Sequence, residues 1–246
     1  MFLKFHNKDW QGHPLVALRK KKHRIVLTDC HQNQIASHAL NGNAVQPEIL
    51  RAALRDAEKL AHAQRLLNLT GGGGVEALPH SVKITVGLVG ENNAEGRQLC
   101  EVPEGEGTVA SDSSASDGES CYIKIHNRGK ETVYVSVFNV NVAGRVTWIS
   151  ASFAMGIDLP SQMFYTIGHG EFSSLEGIKL SWPSGVVASE GRGVRENLVF
   201  IISNREVDLR QLSEPQEWLE KKDMTPERGR VTVQYAVKHA SFVLEP

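Results

Sequence analysis

A change of period divides this chain at four consecutive glycines, Gly71 to Gly74. Before them, Ile49, Leu50, Ala53, Leu54, Ala57, Leu60, Ala61 and Leu67 recur close to the 3.6-residue spacing of an amphipathic helix, with Arg51, Arg55, Glu58, Lys59 and Arg65 mostly elsewhere. Pro47 suits the first helical turn, where a missing N–H costs nothing. Beyond Pro79 the period falls to two. Val82, Ile84, Val86 and Leu88 alternate with Lys83, Thr85 and Gly87, as in a strand buried on one face.

Strand-like runs then follow in close order. They are Tyr122 to His126, Thr132 to Val142, Arg145 to Ile149, Met163 to Ile167, Gly177 to Trp182, Asn197 to Ser203 and Val231 to Leu244. Turn residues such as Asn127-Arg128-Gly129-Lys130 and Ala143-Gly144 separate them. The spacing leaves no room for crossover helices, so pairing is expected to be antiparallel. The fold class expected is mainly β: an antiparallel β-sandwich, immunoglobulin-like or jelly-roll-like, with an N-terminal hairpin and one long helix. With 246 residues and 41% hydrophobic content, such a core can be filled.

The expected organisation is an irregular segment over 1–46, a helix over 47–70, a Gly-rich linker over 71–78 and the sandwich over 79–246. Within the first segment, Arg24 to Thr28 and Gln34 to Leu40 form a hairpin around a turn at Asp29 to Asn33. The stretch 101–119 is acidic, Ser/Gly-rich and poor in large apolar side chains, and is expected to be a flexible insertion.

Charge excludes some partners. Lys plus Arg number 27 against 28 Asp plus Glu, so no broad field draws in nucleic acid. No run approaches the ~20 apolar residues of a membrane-spanning helix. Met1 to Trp10 lacks the cationic-then-apolar order of a secretory signal, and the cytosol, or the nucleus, is the expected compartment. The three cysteines, Cys30, Cys100 and Cys121, are too few and too far apart for a disulfide framework or a zinc site. The ten histidines show no H-x-x-x-H pattern, and no cofactor or metal is expected. Asp112, Asp117 and Glu119 do not keep the register of a calcium loop.

Two fragments bear on catalysis. Thr28-Asp29-Cys30-His31 and Tyr165 to Gly170, which contains His169, echo the nucleophile and general-base segments of caspase-like proteases. Their order along the chain is reversed, Gln-Asn-Gln follows His31, and no series of βα units is present to display such a site. Fragments this short recur by chance. A degenerate cysteine hydrolase using Cys30 and His169 remains the enzymatic alternative, and it requires those side chains to be neighbours.

The sharpest charge feature is Arg19-Lys20-Lys21-Lys22-His23-Arg24. Lys20, Lys21, Lys22 and Arg24 form a candidate interaction patch, for phosphate or an anionic lipid, against the plainer reading of a solvated hairpin flank. Ser114 and Ser116 each precede an acid by three residues and are candidate phosphorylation sites. Trp148 and Trp182 lie in strand patterns and are expected in the core rather than on a sugar-binding platform, the feature of a third, membrane- or carbohydrate-binding alternative.

From Tyr122 to Leu212 the chain resembles the C-terminal β-rich region that follows the protease domain in fungal caspase-like (metacaspase-type) proteins. The likeness is carried by Ile125-His126-Asn127-Arg128, Val133-Tyr134-Val135-Ser136-Val137-Phe138, Val142-Ala143-Gly144-Arg145-Val146, Leu180-Ser181-Trp182-Pro183 and Leu198 to Leu209. The helix Leu54 to Leu69 and the ending Tyr235 to Leu244 fit the same pattern, so the likeness spans residues 25–246. The family's protease domain has no counterpart here, and none of its catalytic residues is carried over. The resemblance implies a non-catalytic protein-interaction or regulatory module whose partner is a protein, a caspase-like protease among the candidates.

Overall fold

The computed structural model describes residues 16–29, 34–40, 45–170, 174–184, 186, 193–213 and 232–246. Among these residues the fold is mainly β, with three sheets and one long helix.

The N-terminal sheet has three antiparallel strands, β1 (Val16–Lys21), β2 (Arg24–Asp29) and β3 (Gln34–Ala39), with β2 in the middle. The expected hairpin is therefore present as β2 and β3, and β1 adds a third strand that the basic run obscures. Helix α1 (Pro47–Leu67) follows. Gln46 precedes it in extended conformation, Pro47 opens it, Glu48 lies in its first turn and Arg65 in its last, as the helix dipole favours.

The helix buries one stripe against two different sheets. Ala53, Ala57 and Leu60 pack with Ile25, Leu27 and Leu40 of the N-terminal sheet and its exit. Farther along, Ala63 and Leu66 pack with Phe138, Val140, Val199, Ile201 and Val237. Alanines at three of these five positions let backbones approach closely. Each fully buried Leu contributes roughly 1.5–3 kcal/mol relative to exposure.

The sandwich is built from two sheets. One has the order β11 (Phe164–Ile167), β7 (Ser120–Asn127), β4 (Val82–Val89), β5 (Glu95–Val102), with β12 (Ile178–Lys179) also on β7. The other has the order β10 (Ile157–Leu159), β8 (Val133–Val140), β13 (Val194–Ser203), β14 (Tyr235–Glu245), β6 (Thr108–Ser116), with β9 (Val146–Trp148) also on β8. Ile84, Val86, Ile123 and Ile125 from the first sheet meet Val135, Val137, Phe200 and Phe242 from the second in one continuous core.

In β13, Leu198, Phe200 and Ile202 enter that core while Val199 and Ile201 face the helix. Burial on both faces explains why Leu198 to Ile202 reads as an unbroken apolar run.

The stretch 101–119 requires a correction. It is not a flexible insertion: β5 runs into it, and β6 occupies its centre, paired in parallel with β14. The main chain supplies what the side chains lack. Strand pairing satisfies the backbone polar groups, and only Ala115 and Val109 need turn inward. Where β5 and β6 run together, Arg97 donates from its guanidinium to the Ser114 carbonyl at 2.6 Å. The β6–β14 pair is also the exception to otherwise antiparallel pairing among the described strands.

The glycine linker is held down rather than loose. Gly72 N–H and Leu78 N–H both donate to the Tyr235 carbonyl, at 3.0 and 3.4 Å. No helix among the described residues is long and apolar enough to cross a membrane.

Candidate functional site

The two sheets of the sandwich differ in their outer faces. Helix α1 covers part of the β8–β13–β14 face, whereas the outer face of β11–β7–β4–β5 carries charged and polar side chains around a groove of 460 Å³. Strand alternation places Lys83 and Thr85 of β4, Tyr122, Lys124 and His126 of β7, and Glu101 of β5 on that face.

Ion pairs knit the strands together across the groove. Lys83 Nζ lies 2.9 Å from Glu101 Oε1, and Lys124 Nζ lies 2.7 Å from Glu95 Oε1. Tyr122, only 2% exposed, lies over Gly87, where a Cβ would come within 2.8 Å of its ring. Its hydroxyl donates to Glu95 Oε2 at 3.5 Å; burial first, and then the Glu95 carboxylate, push the phenol above its ordinary pKa. Arg128 donates to Glu104 Oε1 at 3.2 Å and to His126 Nδ1 at 3.4 Å.

An aromatic rim completes this face. Phe164 is 56% exposed. Lys124 Nζ stands 5.1 Å from the Phe164 ring centroid, and the His126 ring meets Phe164 edge-on at 6.3 Å. The charges are mutually neutralised, while the rim offers apolar area beside hydrogen-bonding groups. That combination suits a docking surface more than a reaction centre.

A second cleft, of 580 Å³, lies between Leu78 to Ser81, the β7–β8 turn, Asn204 and Gln234. Asn127 is buried there and donates to the carbonyls of Glu131 and Leu159 at 2.8 and 2.9 Å. His80 accepts the Val82 N–H at 3.2 Å, and burial, then the charge of Lys238, lower its pKa to about 4. Its imidazole is neutral at physiological pH, and the cleft's polar groups are engaged in holding loops together.

Lys238, Cys100 and Cys121 are further buried titratable groups. Lys238 is 1% exposed and donates to the Pro103 and Glu106 carbonyls, 2.7 Å each; burial lowers its pKa, opposed by Glu104 and Glu106. Burial also raises the thiols, Cys100 above its ordinary value and Cys121 to about 12. Neither supplies a thiolate nucleophile near neutral pH. Among the described residues, no group of three or more His, Cys, Asp or Glu side chains is placed to hold a metal ion.

The residues singled out from sequence fall in separate places. Lys20, Lys21, Lys22 and Arg24 are all exposed on the β1–β2 hairpin. Ser114 and Ser116 lie within β6, the first half-buried and the second exposed. Cys30 lies outside the described residues. His169 is exposed just past β11, where it bridges Leu175. Thr28, two residues before Cys30, belongs to the sheet on the helix side. Trp148 stacks on Phe138 at 6.0 Å and donates to Ser150 Oγ, which agrees with a packing role, and Trp182 is half-buried with its indole N–H on the Val186 carbonyl.

Sequence reasoning does not single out Glu95, Tyr122, Lys124 or Phe164. The signal it offers is the outward alternation of β4 and β7, which marks a polar face but does not bring β5 and β11 beside it. No protein-family model matches this chain, and no curated protein matches it either.

Proposed function

We propose that this chain is a non-catalytic protein-interaction module and that its partner is a caspase-like protease, docked on the outer face of β11–β7–β4–β5. One observation carries the choice of surface: that face presents Phe164, more than half exposed and in contact with Lys124 and His126, at the edge of a charged groove. An exposed aromatic side chain beside satisfied polar groups fits the composition of an interface. The partner class rests on the likeness of residues 122–212 to the region that accompanies such proteases.

The test is capture from native extract with the full chain as bait, read by mass spectrometry and repeated with a Phe164→Ser variant. A caspase-like protease should be recovered by the unmodified chain and lost by about tenfold or more with the variant, equivalent to ~1.4 kcal/mol. Absence of any such protease, or recovery that the variant leaves undiminished, overturns the reading. A carbohydrate-binding reading draws on the same exposed Phe164 ring beside hydrogen-bonding side chains. Retention of the chain on an immobilised oligosaccharide, lost in the same variant, would favour it.

A further inference from the structure

Edge strands are where chains add to one another, and this fold guards several of its edges against it. Strand β1 carries Arg19, Lys20 and Lys21, and β5 carries Glu95, Arg97 and Glu101. Strand β6 carries Asp112 at a register shift, while β10 and β11 are only three and four residues long. Strand β3 lacks these devices. Its six residues, Gln34-Ile35-Ala36-Ser37-His38-Ala39, include no Lys, Arg, Asp, Glu or Pro. The one register shift lies at its start, beside Ile35, and Ala36 to Ala39 run regularly against β2.

Main-chain geometry fixes which residues of β3 offer their bonds outward. Leu40 N–H donates to the His23 carbonyl at 2.7 Å. Alternation along the antiparallel ladder then makes Ile25–His38 and Leu27–Ala36 the bonded pairs. The intervening Ser37, and Ala39 after it, turn their N–H and C=O groups to the outer side. Both residues are exposed, and among the described strands β3 pairs with β2 alone. Neither Ser37 nor Ala39 has a further hydrogen-bond partner among the described residues.

We propose that β3 is the self-association edge of this chain, pairing antiparallel with β3 of a second copy about a two-fold axis at Ser37. The two N-terminal sheets then run on as one, β1–β2–β3 followed by the second copy's β3–β2–β1. Residues that offer their bonds outward must face one another, and Ser37 is the central one, so this register gives the longest overlap. Ser37 meets the second copy's Ser37 and exchanges N–H···O=C bonds with it, while Ala36 meets the second copy's His38. Charge selects the occupant. No ammonium or carboxylate group of one β3 meets its like on the other, whereas self-pairing at β1 would oppose cation to cation. A strand of another sequence finds no charge on β3 to recognise. Serine facing serine adds a hydroxyl hydrogen bond across the pair. The contact is two-fold and self-complementary, so it closes at a dimer. Helix α1 lies between this sheet and the sandwich. The edge is therefore separate from the face proposed above for the protease, and its test requires no protease.

The experiment is sedimentation velocity of the full chain from about 1 to about 500 μM, with amide hydrogen exchange measured at both ends of that range. So short a strand pair falls below the ~1,600 Å² of a standard interface, and the dimer should be weak, with Kd about 10–100 μM. The Ser37 and Ala39 amides should exchange more slowly at high concentration. Those of Ala36 and His38, already bonded to β2, should change less. Ser37→Lys and Ser37→Glu should each weaken the dimer by about tenfold or more, with the circular dichroism spectrum unchanged. An equimolar mixture of the two variants should associate at least as tightly as the unmodified chain, because opposite charges then face each other. A chain that stays monomeric throughout overturns the proposal, as does a dimer whose Ser37 and Ala39 amides exchange freely. So does association that both variants leave unchanged, or that their mixture fails to restore. Slow exchange of the two amides in the monomer would assign the edge to another segment of the same chain, and overturns it too.

Discussion

Glu196 has an unusual position for a carboxyl group. It shares the inward face of β13 with Leu198 and Phe200, is 5% exposed, and accepts one hydrogen bond from Asn139 Nδ2 at 2.7 Å. Burial raises its pKa to about 6, against the opposing effect of Asn139. A carboxyl raised in the folded state binds its proton more tightly there than in the unfolded chain. Its cost to stability is therefore greatest above about pH 6 and disappears below the ordinary carboxyl value. Glu196→Gln should raise stability at about pH 7.5 by roughly 2 kcal/mol, and the gain should vanish near pH 4. Urea denaturation at both pH values checks this. His80 acts with the opposite sign: held neutral down to about 4, it costs stability as pH falls through its ordinary range. Both proteins carry His80, so its contribution cancels when they are compared at one pH.

At the scale of elements, α1 depends on how closely the strand connections approach it. Gly144, in the turn between β8 and β9, has φ +76°, and a Cβ there would stand 2.6 Å from Leu60 Cδ2. The turn thus lies directly against the helix side chain that also packs on the N-terminal sheet. Gly144→Ala should cost about 2–4 kcal/mol, combining left-handed strain with overpacking. Gly118→Ala is the control, with φ +86° but no atom within 4 Å of the added carbon. It should cost only about 1 kcal/mol. Thermal melts of the two variants separate backbone strain from helix seating, and equal losses would show that Leu60 moves aside freely.

Across the whole molecule, the two sheets and the helix share their buried surfaces in series. Val199 and Ile201 connect the helix layer to the strand whose other face forms the sandwich core. Cys100 and Cys121, 3% and 4% exposed, lie inside that core. In a Cys30→Ser background, the two remaining thiols should resist a thiol reagent in the native protein. They should react together at the rate of global unfolding, because exposing either requires the sheets to part. Faster labelling of Cys100, nearer the β5 edge, would reveal a local opening of that edge.

The sequence by itself determined the elements whose cause is local. Periodicity located α1 within three residues at each end, and alternation located β4 and β7, because a single buried face imprints its period on the chain. The basic run was equally legible as charge. Tertiary structure alone decided which faces would be covered and which residues would share a site. Lys124 reads as an outward residue, but only the alignment of β5 beside β4 brings Glu95 to it. Lys21 and Arg24 read as two cations, and the register of the hairpin makes them opposed. The segment 108–116 looks unable to order itself from its own side chains. Its order comes from the backbone of β14, more than a hundred residues later in the chain. Composition records what a segment can bury, but not which distant backbone will pair with it.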